Sequence, residues 1–269
     1  MLHFDLNVSI LLREYPFLER FDQAARLGFG AVEFWWPAEV DLGALVRRVR
    51  EADLRVALFN FDGGSIAEGE RGLLNHPQRA AQFRANVPVA LDLAQRLGCT
   101  TLNALAGKWL PDESRERQLE RVRENMHWAA EQAQAVGVTI VVEALNSWDN
   151  GPCIFTNTHA TLAFLATIGA PNLKYQYDIY HMQRMEGNIV ATLGAQLAHI
   201  GHIQVADSPA RHEPGSGELN YRYIFETIAA SSYAGMVGLE YIPRGTTLDS
   251  LSWLPADRRG PIAAADLSL

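Results

Sequence analysis

The strongest constraint on this chain's fold is a regular alternation of strand-like and helix-like segments that recurs from one end to the other. Phe4 to Ser9 reads as a strand, and Phe17, Phe21, Ala24, Ala25 and Leu27 follow at helical spacing until Gly28 stops them. The same order returns in Ala31 to Trp36 with Leu42 to Ala52, then in Arg55 to Asn60 with a long loop and a helix from about Gln78 to Leu97, closed by Gly98. Thr100 to Ala106 pairs with Ser114 to Ala135, Thr139 to Leu145 with His159 to Ile168, and Leu173 to Asp178 with Ile189 to Ala198. His202 to Asp207 precedes Tyr221 to Ala230, and Met236 to Ile242 supplies an eighth strand. A last short helix is expected over Leu248 to Trp253, before Pro255 and Gly260 interrupt the pattern.

Alternating elements with apolar strands imply a parallel sheet covered by helices. Eight strands in 269 residues suit closure into one (β/α)₈ TIM barrel, α/β in class and a single domain over 1–269. An open doubly wound sheet would call for a glycine-rich phosphate turn after the first strand, and neither GxGxxG nor GxxxxGK[ST] occurs.

Hydrophobic residues make up 48% and charged residues 20%, enough for a large core and a solvated shell. The net charge of −8 repels a phosphate backbone, and no basic run reverses it, so nucleic acid is not expected as a partner. No stretch approaches the ~20 apolar residues a membrane span needs. Two cysteines, Cys99 and Cys153, and the absence of a secretory pattern before Arg13 and Glu14 fit a reducing cytoplasm.

Three segments echo one another as glycine, apolar strand, glutamate: Gly28 to Phe34, Gly137 to Ala144 and Gly235 to Tyr241. Each glutamate falls late in its strand, and the carboxyl ends of barrel strands face the active site. Across the last four strands, Glu143, Asp178, Gln204 and Glu240 occupy that end, each about one βα unit from the next. Any one carboxylate alone could cap a helix or pair with an arginine. Three carboxylates and an amide converging on one mouth repel one another unless a cation lies between them, and oxygen donors suit Mg²⁺ or Mn²⁺.

The strings VVEALN, YDIYHMQ, GHIQVAD with downstream RHEPGSGELNY, and GLEYIP closely resemble those of hydroxypyruvate isomerases and their 2-oxo-tetronate isomerase relatives, within the xylose isomerase-like TIM-barrel superfamily. The resemblance runs from the first strand through Tyr241. It implies one divalent ion, Mg²⁺ or Mn²⁺, on Glu143, Asp178, Gln204 and Glu240, with Glu143 and Glu240 also moving the proton. Related ketose 3-epimerases often carry histidine where Gln204 stands, which favours the hydroxypyruvate branch. The implied reaction interconverts hydroxypyruvate and 2-hydroxy-3-oxopropanoate through an enediolate, as an aldose–ketose type isomerase.

Further expectations attach to single residues. His181, three residues after Asp178, is expected on a substrate oxygen, as the superfamily has a histidine there; the plain alternative is a loop histidine. Arg211 is expected to pair with the carboxylate of a small hydroxy-keto acid, with Lys108 as the second choice, and either could instead be a solvated loop cation. Trp35, Trp36, Trp109 and Phe59 wall a pocket or pack the rim, and His202, two residues before Gln204, faces the barrel interior. The glycine-rich segment Asp62 to His76 is long enough to act as a lid. A 2-oxo-tetronate isomerase, a ketose 3-epimerase, an endonuclease IV-like nuclease and a non-catalytic sugar-binding barrel remain alternatives, and a homo-oligomer stays open.

Overall fold

In a computed structural model, which describes residues 1–256 and 259–269, the eight strands form one closed barrel in the order β1 to β8, every neighbouring pair parallel. They are β1 Phe4–Asn7, β2 Ala31–Phe34, β3 Arg55–Asn60, β4 Thr101–Asn103, β5 Thr139–Glu143, β6 Leu173–Asp178, β7 Ile200–Val205 and β8 Val237–Leu239. Helices α1 Glu19–Arg26, α2 Leu42–Glu51, α3 Ala80–Leu97 and α4 Arg115–Ala135 follow the first four strands. After β5 come α5 Ser147–Asn150 and α6 Thr158–Ile168, and after β6 come α7 Ile179–Met185 and α8 Ile189–Gln196. Helix α9 Tyr221–Ala230 follows β7, and the short α10 Thr247–Ser250 follows β8. Among the described residues no helix is long and apolar enough to cross a membrane.

Local chemistry fixes most of these ends. Gly98 closes α3 at φ 66, a left-handed conformation that suits a residue without a Cβ. The Ser114 hydroxyl caps α4 by accepting from the Arg117 amide, and Asp41 caps α2 through Gly43 and Ala44. Several strands stop earlier than the apolar pattern suggests: β1 ends at Asn7, β4 at Asn103 and β8 at Leu239. Beyond those points the backbone leaves the ladder, and side chains at the carboxyl ends turn to the mouth.

The structure departs from the sequence expectation at three places. Strand β7 begins at Ile200 rather than His202, and Gly201 leaves the room it needs, since a Cβ there would come within 2.7 Å of Val141 Cγ1 on β5 and 3.0 Å of Lys174 Cβ on β6. Helices α5 and α7 were not expected, being too short to show an apolar period. The final helix is shorter than expected, and Trp253 beyond it packs into the core, stacked on Phe225 at 5.7 Å and edge-on to Phe4 at 5.5 Å.

The floor of the barrel beneath the mouth is polar. Asp5, Glu33, Gln176, His202 and Gln204 are all buried there. Gly238 in β8 makes room for Glu33, since a Cβ at that position would approach the Glu33 carboxylate to 2.5 Å. The floor carries the side chains of the site above it.

Candidate active site

Glu143 ends β5, Asp178 ends β6, and Glu240 directly follows β8, so parallel register delivers all three to one mouth. All three are buried. Glu143 Oε2 accepts from Asn103 Nδ2 at 3.0 Å, while Glu143 Oε1 has no partner among the described residues. Asp178 is the N-cap of α7: its Oδ1 accepts from the amides of Tyr180 at 2.8 Å and His181 at 3.2 Å, leaving Oδ2 without a hydrogen bond. One oxygen is thus held by the helix and the other is left facing the mouth. Glu240 Oε1 accepts from Asn7 Nδ2 at 2.9 Å and Trp35 Nε1 at 2.8 Å.

Burial and mutual repulsion raise these acids. Burial, with Glu240 and Asp178 nearby, pushes Glu143 well above the usual carboxylate range. Asp178 is also raised by burial, against the pull of Arg211 and two backbone amides. Glu240 is pushed up to about 7, again by burial first, with Arg211 opposing it and Asp178 adding repulsion.

His181 completes the cluster. Its Nε2 lies 3.7 Å from Glu143 Oε1 and 3.6 Å from Asp178 Oδ2, and one ligand atom from each of the three residues fits within 4.8 Å. Burial and three arginines hold its pKa well below the usual histidine value, so the ring is neutral near neutral pH. The tautomer follows from Asn146, whose Oδ1 accepts from the Asp149 amide and whose Nδ2 donates to His181 Nδ1 at 2.7 Å. Nδ1 is the acceptor, and the proton sits on Nε2 toward the carboxylates.

Gln204 is fixed from below. Burial raises Glu33, but His202, Gln204 and Asn7 outweigh it and hold Glu33 below its usual value, so it is a carboxylate. Glu33 Oε1 therefore accepts a hydrogen bond from Gln204 Nε2 at 2.6 Å, while Gln204 Oε1 accepts from Gln176 Nε2 at 2.6 Å and keeps a second lone pair. His202 Nε2 lies 2.6 Å from Glu33 Oε2, in the interior as its spacing predicts. The fourth expected ligand is held as an oxygen donor. Glu143 and Asp178, each with a buried oxygen that makes no hydrogen bond, and His181 form a group that could hold a metal ion.

Arg211 enters the mouth from the loop after β7 at φ 60. Its guanidinium pairs with Glu240 Oε2, stands 3.6 Å from Asp178 Oδ2, and lies over the Tyr180 ring at 5.4 Å. The mouth opens into a small pocket of about 60 Å³, lined by Trp35, Ile66, Leu105 and Leu145. Arg71 and Asn150 complete the wall. Larger clefts lie outside the barrel, such as the one beside Thr158 and Ala195, away from the carboxylates.

The xylose isomerase-like TIM barrel family model matches residues 21–256, most of this eight-stranded barrel. The chain belongs to that family. It is 41% identical over 254 residues to hydroxypyruvate isomerase of Escherichia coli (strain K12), covering 94% of this chain and 98% of that protein. The 2-oxo-tetronate isomerase of Cupriavidus necator is equally similar, 41% identical with the same coverage. Among solved structures, an AP endonuclease, family 2, from Brucella melitensis has a TM-score of 0.90 and 37% identity, covering 94% of this chain and 98% of that one.

Within this xylose isomerase-like barrel, Glu143, Asp178, Glu240, His181 and Arg211 meet at the mouth, with Gln204 below them. Lys108 does not line the pocket; it forms a backbone bridge with Cys153. Trp35 reaches the site, whereas Phe59 stacks on Phe34, Trp36 packs beside Phe59, and Trp109 lies under Arg115. Asn7, Glu33, Asn146 and Arg71 were not singled out as site residues from the sequence. Glu33 carried a signal, since it stands in the same glycine–strand–glutamate echo as Glu143 and Glu240.

Proposed function

We propose that this protein is an isomerase that interconverts hydroxypyruvate and 2-hydroxy-3-oxopropanoate, using one Mg²⁺ or Mn²⁺ between Glu143, Asp178, Gln204 and Glu240. The observation that carries the reading is the meeting of three buried carboxylates at one mouth, two of them with an oxygen that makes no hydrogen bond. The identity to hydroxypyruvate isomerase over nearly the whole chain supports the same reading. Those four residues would hold a divalent ion beside the substrate carbonyl, where its charge would favour deprotonation of the neighbouring carbon.

The chain's own residues supply the proton chemistry. One of Glu143 and Glu240 takes a proton from C3 of hydroxypyruvate and the other returns one to C2, while the hydroxyl proton passes between the two oxygens. Burial makes Glu240 a stronger base than an exposed glutamate, while the charge of a divalent ion beside it would oppose that rise. Asn7 and Trp35 hold its Oε1 in place. His181 presents its Nε2–H to a substrate oxygen, and Arg211 offsets the acidic mouth and contacts substrate. The apolar wall of Ile66, Leu105 and Leu145 excludes water from the reacting carbons.

A 2-oxo-tetronate isomerase is the second reading, favoured by the equal identity to that enzyme and requiring the same residues with a longer substrate. A nuclease is disfavoured by the net charge of −8, which repels a polyanion. The free buried cysteines Cys99 and Cys153 suit a reducing cytoplasm.

The test is turnover of hydroxypyruvate, 2-oxo-tetronates and ketohexoses by metal-supplemented protein, with metal content measured in parallel. Glu143→Gln and Glu240→Gln are each expected to fold and to lose isomerisation by at least about a hundredfold. Near-normal turnover at full metal occupancy in either variant removes that glutamate from the proton-transfer role.

A further inference from the structure

The pocket has a second cation that the proton chemistry does not use. Arg71, on the loop between β3 and α3, is half-buried in the wall facing Glu143, His181 and Glu240. Its Nε donates to Asn150 Oδ1 at 2.6 Å, and its Nη1 donates to the carbonyls of Ile66 at 3.0 Å and Glu70 at 2.6 Å. All three of those partners are neutral. Among the described residues Arg71 forms no ion pair, and its Nη2 makes no hydrogen bond.

A desolvated guanidinium without an anion is costly, and burial lowers its pKa accordingly. Surface arginines avoid that cost by remaining in water. Here the surroundings hold the side chain where it is. Gly72, the next residue, sits at φ 107 so close to the β4–α4 loop that a Cβ would come within 2.0 Å of Leu105 O. Asn150 Nδ2 in turn donates to Asn146 O at 3.1 Å, and Asn146 orients His181. One chain of amides therefore connects Arg71 to the imidazole beside the carboxylates.

We propose that Arg71, held by Asn150, is the subsite that binds the carboxylate of the substrate and makes this pocket selective for small 2-oxo or 2-hydroxy acids over neutral sugars. Arg211, the cation expected for that task, already pairs with Glu240 and neighbours Asp178, so its charge balances the mouth. Lys108 is not in the pocket wall. An acid bound with its carboxylate on Arg71 extends its other end toward Glu143 and Glu240. The planar guanidinium suits a carboxylate better than an ammonium would.

The assignment deepens the isomerase reading above and rests on it for the choice of substrate. Metal-loaded protein is compared on hydroxypyruvate and on dihydroxyacetone, which replaces the carboxylate with a neutral hydroxymethyl group. In Arg71→Ala the ratio of kcat/KM for hydroxypyruvate to that for dihydroxyacetone should fall roughly ten- to hundred-fold, mostly through KM. Asn150→Asp, which sets a carboxylate against Arg71 Nε, should lower the ratio in the same direction without truncating the arginine. Calorimetric binding of D-glycerate, with glycerol as the neutral control, gives a readout without turnover, and Arg71→Ala should weaken only the acid.

An unchanged ratio and unchanged glycerate affinity in Arg71→Ala, with hydroxypyruvate still turned over, overturns the subsite and leaves the isomerase reading standing. Wild-type protein that binds glycerate through Arg71 but turns over no hydroxypyruvate upholds the subsite and overturns the substrate assignment.

Discussion

At the scale of single residues, the site is governed by how few of its acids can ionise without help. Glu240 shows the consequence for stability. Its folded value of about 7 lies above the ordinary glutamate value of 4.5, so the folded protein binds more protons than the unfolded chain between those limits. The cost of ionising Glu240 is absent below about pH 4.5, grows as pH rises through 7, and is then complete at on the order of 3 kcal/mol. His181 works in the opposite sense, because a histidine held neutral costs stability as pH falls below its unfolded value. Comparing metal-free wild type with metal-free Glu240→Gln cancels the histidine. The variant should gain on wild type by up to about 3 kcal/mol between pH 5 and pH 8, measured by urea unfolding. A gap that stays constant or moves the other way shows that Glu240 titrates at an ordinary value.

At the scale of elements, each strand end contributes through what its neighbours allow. Asp178 both caps α7 and aims an oxygen at the mouth, so the helix start and the proposed ligand are one residue. Gly238 works by leaving space: Gly238→Ala drives a methyl into the Glu33 carboxylate, which orients Gln204. That variant should lose about 1–3 kcal/mol of stability by overpacking and bind Mn²⁺ more weakly, as read by unfolding and by metal titration. A fully stable variant with wild-type Mn²⁺ affinity would detach the floor from the site.

The alternation of elements and the three carboxylates at the mouth were legible because barrel periodicity repeats them at one-unit intervals, whereas Gln204 lies below them on the floor. Asn7, Asn146 and Arg71 were not, because each acts through a contact with residues far away in sequence. Asn7 joins Glu33 to Glu240, 233 positions further on, and no local spacing announces such a pair. Helices α5 and α7 escaped for a local reason, since one or two turns hold too few apolar positions to define a face.

Over the whole molecule, closure joins β1 to β8, and the C-terminal segment seals the end of the core beside that seam. Trp253, 4% exposed, packs against Phe4 of β1 and Phe225 of α9. Trp253→Ala should cost about 3–5 kcal/mol, seen as a lower thermal midpoint. A loss below 1 kcal/mol would mean that the seam closes without the indole.

The loop bearing Arg71 is tied to itself and to the loops beside it: the Gly72 amide donates to Gly63 O, Glu70 pairs with Arg79 at the start of α3, Gly72 bridges Ala106, and Arg71 reaches Asn150. Its base is knotted shut, while the residues above carry no strand of the barrel. Insertions there leave the eight-stranded ladder untouched, whereas a change at Glu143 or Asp178 strikes the ladder itself. Rewriting that one excursion of the chain would change what a guest in the pocket meets while leaving the strand-end carboxylates where they stand.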